Sequence, residues 1–273
     1  MNKKQQTLLI IGTIILMIIT GIGGFILGQK FYDKEEEIKE ELNDNKEENN
    51  INKTTKERVD DIIENELEQL IPLKSLNELS NQDKLQTILY MYVKNGSGYT
   101  DTIQKSTLEN IFKNSSIRNL GIEYKDIYEE RQLQDTENTI YIIENGVYKK
   151  TIGGGTGGYI GLLQKKLVDY KEENNKVTIS YKYAFYKNEG DGPTPINIYY
   201  TFEDAKNNQN KIKTFDPLDY KDELYPNEPF SYSKAKEAAE NYDFSKSLDK
   251  LNTYTYVFEL INNELILIDF NRK

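Results

Sequence analysis

The chain has 273 residues, with 35 basic and 45 acidic side chains and a formal net charge of −10. It contains no Cys, no His and no Trp. Those absences exclude disulfides, thiol nucleophiles, thiolate metal sites, the Ser-His-Asp and Cys-His mechanisms and the commonest zinc ligand, and they weaken any aromatic sugar platform. Only oxygen ligands would remain for a metal, and neither a metal nor a cofactor is expected.

The charge is unevenly spread. Residues 29–71 hold 15 acids against 7 bases, a net of −8, while Lys3 and Lys4 add two positive charges, so residues 72–273 carry only −4. No basic face for nucleic acid is apparent, and no nucleic-acid partner is expected.

Thr7–Gly28, TLLIIGTIILMIITGIGGFILG, is a run of 22 residues without a charge, flanked by Lys3, Lys4 and Lys30. At about 1.5 Å per helical residue it spans roughly the 30 Å hydrocarbon core of a bilayer. It exceeds a signal h-region, and its Gly-rich GIGG is followed by Phe25, Ile26 and Leu27, so an uncleaved signal-anchor in the cell membrane is expected. Lys3 and Lys4 place residues 1–6 as a cytoplasmic stub and the bulk of the chain on the extracytoplasmic side. Thr20, Gly24 and Gly28 recur every fourth residue, a small-residue face through which two membrane helices can pack as a homodimer.

Residues 29–72 read as an acidic stalk. From Gln29 to Thr55 the aliphatics are Ile38, Leu42 and Ile51, too few to bury a core. An amphipathic helix is then expected over 55–71. Thr54-x-x-Glu57 forms a capping box, Val59, Ile62, Ile63, Leu67 and Leu70 share one face, and Pro72 closes it. That face either docks on the following domain or pairs with its own copy as a short coiled coil; barely two heptads favour docking.

Residues 73–273 read as one extracytoplasmic α+β domain. Gln82–Lys94 carries a helical stripe ending at Asn95-Gly96, and Ser106-x-x-Glu109 is expected to cap a second helix. From Ile122 the period falls to two. Ile140–Ile143 and Val147–Ile152 flank Asn145-Gly146 as a hairpin, and Thr253–Ile261 with Glu264–Phe270 flank Asn262-Asn263 as another. Leu162–Tyr170 suits strand or helix and is taken as a strand; 177–186 and 196–202 alternate as strands, and Ser233–Asn241 is a late helix. Helices followed by a curved antiparallel sheet is the element order of cystatin-like and NTF2-like domains, an analogy for fold alone.

Gly153–Gly158 contains G-x-G-x-x-G without the βαβ setting of a nucleotide site and is taken as a connector. The Asn188–Pro195 loop offers Glu189 and Asp191 but not a twelve-residue calcium loop. With Glu203, Asp204 and Asp216 near strand ends, a carboxylate-dependent hydrolase of envelope glycans is the one enzyme class left open. The 21 Tyr residues are the other unusual feature. Alternation turns Tyr181, Tyr183 and Tyr200 inward and Tyr186 and Tyr199 outward, where they would offer a contact surface to a peptide or glycan. The expected role is therefore binding or assembly at the cell surface, with an unknown surface protein or glycan as partner and the bilayer held by residues 7–28.

Overall fold

A computed structural model describes residues 53–98, 100–128, 140–152, 159–188, 194–221 and 229–273. The expected membrane span, the first part of the stalk, the Gly153–Gly158 connector, Glu189 and Asp191 lie outside the described residues. The chain divides into two compact units, 1–58 and 59–273.

In the first unit the described feature is the capping box. The Glu57 carboxylate accepts the Thr54 backbone N–H at 2.8 Å and the Thr54 hydroxyl accepts the Glu57 N–H at 3.3 Å. This starts helix α1, Thr55–Ile62, which continues as a π turn over Ile63–Leu67 and a 3-10 turn over Glu68–Leu70.

The second unit is α+β, with helices followed by antiparallel sheets. Helix α2, Asn81–Tyr92, begins at a second capping box in which Ser80 and Asp83 exchange hydrogen bonds, and Gly96, at φ 91°, turns the chain out of its extension. After β1, Thr102–Gln104, comes α3, Lys105–Lys113. Ser106 lies inside α3 and does not cap it; Gln104 holds the cap position with no side-chain hydrogen bond. Strands β2 (Ile127–Tyr128), β3 (Ile140–Glu144) and β4 (Val147–Ile152) complete a four-stranded sheet in the order β1-β4-β3-β2. The β3–β4 turn is Asn145-Gly146, both at positive φ (51° and 78°), the geometry of a tight hairpin turn. Leu85, Ile88, Leu89 and Leu108 of the two helices pack on Ile103, Tyr141 and Tyr148.

The larger sheet has six strands: β5 (Tyr159–Glu173), β6 (Lys176–Asn188), β7 (Ile196–Tyr199), β8 (Lys213–Phe215), β9 (Thr253–Ile261) and β10 (Glu264–Arg272). Strand β6 is its axis. One edge of β6 pairs with β5 along its length; the other is shared between β9 and β7, with β10 outside β9 and β8 outside β7. Asn174-Asn175 and Asn262-Asn263, all at positive φ, turn the two long hairpins. Helix α4, Phe202–Asn207, interrupts the expected strand because Thr201 caps it, accepting the Asp204 N–H at 3.0 Å. Helix α5, Tyr232–Glu240, is capped by Ser231.

This sheet is covered on both faces. Val177, Ile179, Tyr181, Tyr183 and Phe185 of β6 join Tyr254, Tyr256 and Phe258 of β9 in one core, which also takes Val59, Ile63, Leu67 and Leu70 at 0–1 % exposure. Ala184 and Tyr186 of β6 and Ile196 and Ile198 of β7 point the other way, into a core closed by Ala235 and Ala239 of α5. Double coverage makes both side-chain sets of β6 and β7 hydrophobic near the junction of the two cores.

Candidate functional site

The α5 side of the large sheet holds a concave surface. A depression of about 360 Å³ runs between β5–β6 and the segment from Glu240 to Leu251. Gln164, Lys166 and Lys182 line it from the sheet, Glu240 from the end of α5, and Asn241, Tyr242, Asp243, Phe244, Ser245, Leu248 and Leu251 from the segment after it. Gln164 fixes this segment, its amide donating to the Glu240 and Tyr242 carbonyls at 2.8 and 2.6 Å. Tyr242 and Phe244 meet edge to face with centroids 4.9 Å apart, which sets the wall behind it.

Charge in the cleft is ordered by these contacts. Lys166 and Lys182 are direct cross-strand partners, and the Lys182 ammonium donates to the Leu248 carbonyl. Glu240 is drawn to Lys236, 3.7 Å away. Asp243 accepts the Ser245 N–H at 2.8 Å; hydrogen bonds from Ser245, with Lys246 and Lys166 nearby, hold its carboxyl below the usual range.

Beside the cleft three tyrosines converge. The Tyr186 hydroxyl donates to the Tyr159 hydroxyl at 3.3 Å, their rings stand edge to face at 5.7 Å, and Asn188 donates to the Tyr232 hydroxyl at 3.1 Å. Burial opposes ionisation of Tyr159, yet hydrogen bonds from Tyr186 and Tyr232 and the charge of Lys236 bring it below the ordinary tyrosine value. Burial and donation to Tyr159 push Tyr186 far up. Close approach of β5 to Tyr186 requires Gly161, where a Cβ would sit 2.3 Å from the ring.

The tyrosines expected to face outward do not. Tyr186 is 6 % exposed and Tyr199 is 0 % exposed, so neither offers a contact surface. The two-faced burial of the sheet is the reason: the outward face assumed for β6 holds the α5 core, and that assumed for β7 holds the α1 core. Of the carboxylates near strand ends, Glu203 pairs with Arg272 at 2.7 Å, Asp204 pairs with the Thr201 hydroxyl at 2.7 Å, and Asp216 accepts the Leu218 N–H at 3.0 Å. The structure does not bring them together with a cleft.

Thr20, Gly24 and Gly28 lie outside the described residues. Among the described residues no helix is long and apolar enough to cross a membrane, and no group of three or more carboxylates is placed to hold a metal ion. Lys166 and Lys182 were not singled out by the sequence; two lysines 16 positions apart carry no local signal, and only strand register makes them neighbours. Comparison with family models, with curated proteins and with solved structures returns no match.

Proposed function

We propose that this chain is a single-pass, membrane-anchored binding or assembly module whose folded part lies outside the cytoplasm. The observation that carries this reading is the uncharged run Thr7–Gly28, set before an acidic stretch and a folded unit of about 200 residues. By element order the folded part is grouped with cystatin-like and NTF2-like domains, an analogy for architecture alone. The Thr20, Gly24 and Gly28 face gives the anchor a surface for pairing with its own copy.

Binding is favoured over catalysis by the placement of the acids. Glu203, Asp204 and Asp216 are each spent on an ion pair or a helix cap. A hydrolase of envelope glycans would draw its carboxyl pair from Glu240 and Asp243, the acids lining the cleft. Asp243 is held below the usual range, which suits a base or nucleophile and leaves Glu240 as the sole candidate acid. A hydrolase therefore requires that Glu240→Gln abolish turnover of a wall glycan.

The test of the reading is fractionation of cells producing the full chain and a variant lacking residues 7–28. The full chain is expected to stay in the membrane pellet through an alkaline wash and the variant to leave it. A full chain released by the wash contradicts the proposal. Crosslinking in membranes then tests the small-residue face: Gly24→Ile is expected to abolish the dimer, and a dimer insensitive to it removes that contact.

A further inference from the structure

Strand β5 gives the large sheet a long edge with no partner strand among the described residues. It pairs with β6 on one side alone. The opposite edge, β10, is closed by the chain's own backbone: the Leu267 N–H donates to the Ser116 carbonyl at 2.9 Å and the Arg272 N–H to the Lys74 carbonyl at 2.8 Å. The first half of β5 is buried or half-buried, but from Lys166 to Glu173 every residue except Tyr170 is exposed. Leu167 and Val168, at 41 % and 51 % exposure, are adjacent apolar side chains on that edge. A row of unpaired backbone groups beside exposed aliphatics is a template for another strand.

Charge selects which strand. Lysines on an edge deter unmatched strands, so a partner must set acids opposite Lys165 and Lys166. The same edge carries them beyond Leu167-Val168, as Glu172 and Glu173. The bulge at Val168 puts Lys165, Leu167, Tyr170 and Glu172 on one face, opposite Tyr183, Tyr181, Ile179 and Val177 of β6. A second copy laid antiparallel, about a twofold axis between Val168 and Asp169, therefore sets Leu167 against Tyr170 and Lys165 against Glu172, each pair made twice. Lys165 also holds Glu64 within its own copy, at 2.7 Å. On the other face Lys166 meets Lys171, whose charge Glu173 offsets at 2.8 Å. Parallel in-register alignment would set lysine on lysine and glutamate on glutamate. We infer that the exposed half of β5 is the contact between two copies of this chain, joined antiparallel into one continuous sheet. One strand edge is a small interface, so the inference rests on the anchoring proposed above, which raises the effective concentration of the copies.

Crosslinking of the full chain in membranes tests it. The chain has no Cys, so Val168→Cys and Leu218→Cys each carry one thiol, the second beyond β8 on the far side of the sheet. Both side chains are more than half exposed, and neither change disturbs a core. A short bismaleimide is expected to join Val168→Cys chains as dimers at least about fivefold more than Leu218→Cys chains. Adding Glu172→Lys, which turns two attractions into two repulsions, is expected to cut that dimer about tenfold, and Glu172→Asp to keep it within about twofold. Equal yields from the two thiols overturn the edge contact, even where the chains pair through the span. A Val168→Cys dimer indifferent to Glu172→Lys overturns the antiparallel arrangement, and an adduct with a different chain in place of the dimer overturns the second copy as occupant. Gly24→Ile separates this contact from that of the span. It is expected to lower the adduct; an adduct that survives it leaves the edge contact standing and removes the span contact alone.

Discussion

Tyr90 of α2 donates its hydroxyl hydrogen to the Glu68 carboxylate across 2.7 Å, tying the chain after α1 to the first helix of the following sequence. Glu68 is 7 % exposed, and its other partner, the Lys94 ammonium, stands 3.6 Å away. Burial and the Glu68 charge push the Tyr90 phenol far above its ordinary value. Tyr90→Phe would leave the carboxylate with one distant cation in a poorly solvated place. A loss of about 1–3 kcal/mol in denaturant unfolding is expected; an unchanged midpoint would show that water replaces the hydroxyl at no cost.

The same segment is fastened by its apolar side. Ile63, Leu67 and Leu70 are 0–1 % exposed in the core shared with β6 and β9. Leu67→Ala is expected to cost about 2–5 kcal/mol, the range for emptying a core leucine site. Its polar side is engaged as well: Tyr181 donates to Asp60, Lys165 pairs with Glu64 at 2.7 Å, and Glu66 accepts the Ser116 N–H at 2.7 Å. Lys165→Ala, at a partly exposed pair, should change stability by under about 1 kcal/mol.

Alkaline titration should separate the tyrosines. Burial raises Tyr183, Tyr256 and Tyr186 above the ordinary value of 10.0, and it pushes Tyr254 up to about 12. A raised phenol contributes stability that is whole below the unfolded value near pH 10 and lost as pH rises through the folded value. Unfolding is therefore expected in base above pH 10, with a second wave of phenolate absorbance appearing at that transition. Tyr159 moves the other way and should be among the first to ionise; a lowered phenol adds stability above its unfolded value, so Tyr159→Phe is expected to remove early absorbance and to move the unfolding pH downward. A single titration wave near pH 10 from all tyrosines in folded protein would contradict the burial described.

Gly161 offers a steric test of the tyrosine cluster. A Cβ there would lie 2.3–2.7 Å from ring atoms of Tyr186, which is itself packed against Tyr159 and under Lys236. Gly161→Ala should destabilise by about 1–3 kcal/mol, and the pair Gly161→Ala with Tyr186→Leu should recover part of the loss. Additive losses in the double variant would mean that the two positions do not touch.

Where turn chemistry was local, the fold was legible in the sequence. Asn145-Gly146, Asn262-Asn263 and Asn174-Asn175 supply positive φ at two successive residues, and all three mark hairpins. The cap of α4 was legible too, in Thr201-x-x-Asp204, but the strong alternation from Ile196 to Phe202 overrode it. Alternation also misled for Tyr186 and Tyr199, because a period of two identifies two faces without saying that each is buried in a different core. The cleft was out of reach for a further reason. Counting outward from the Asn174-Asn175 turn sets Lys166 opposite Tyr183; the bulge between Leu167 and Asp169 slips the register by one and sets it opposite Lys182. No residue type announces that slip.

The placement of the folded part outside the cytoplasm is tested most directly by labelling one introduced thiol. The chain has no Cys, so Leu218→Cys, at an apolar side chain 59 % exposed, gives a single reactive site on the folded unit. In intact cells a membrane-impermeant maleimide is expected to label this variant as fully as it does after lysis, and the labelled chain to sediment with membranes. Labelling that appears only after lysis would contradict the account.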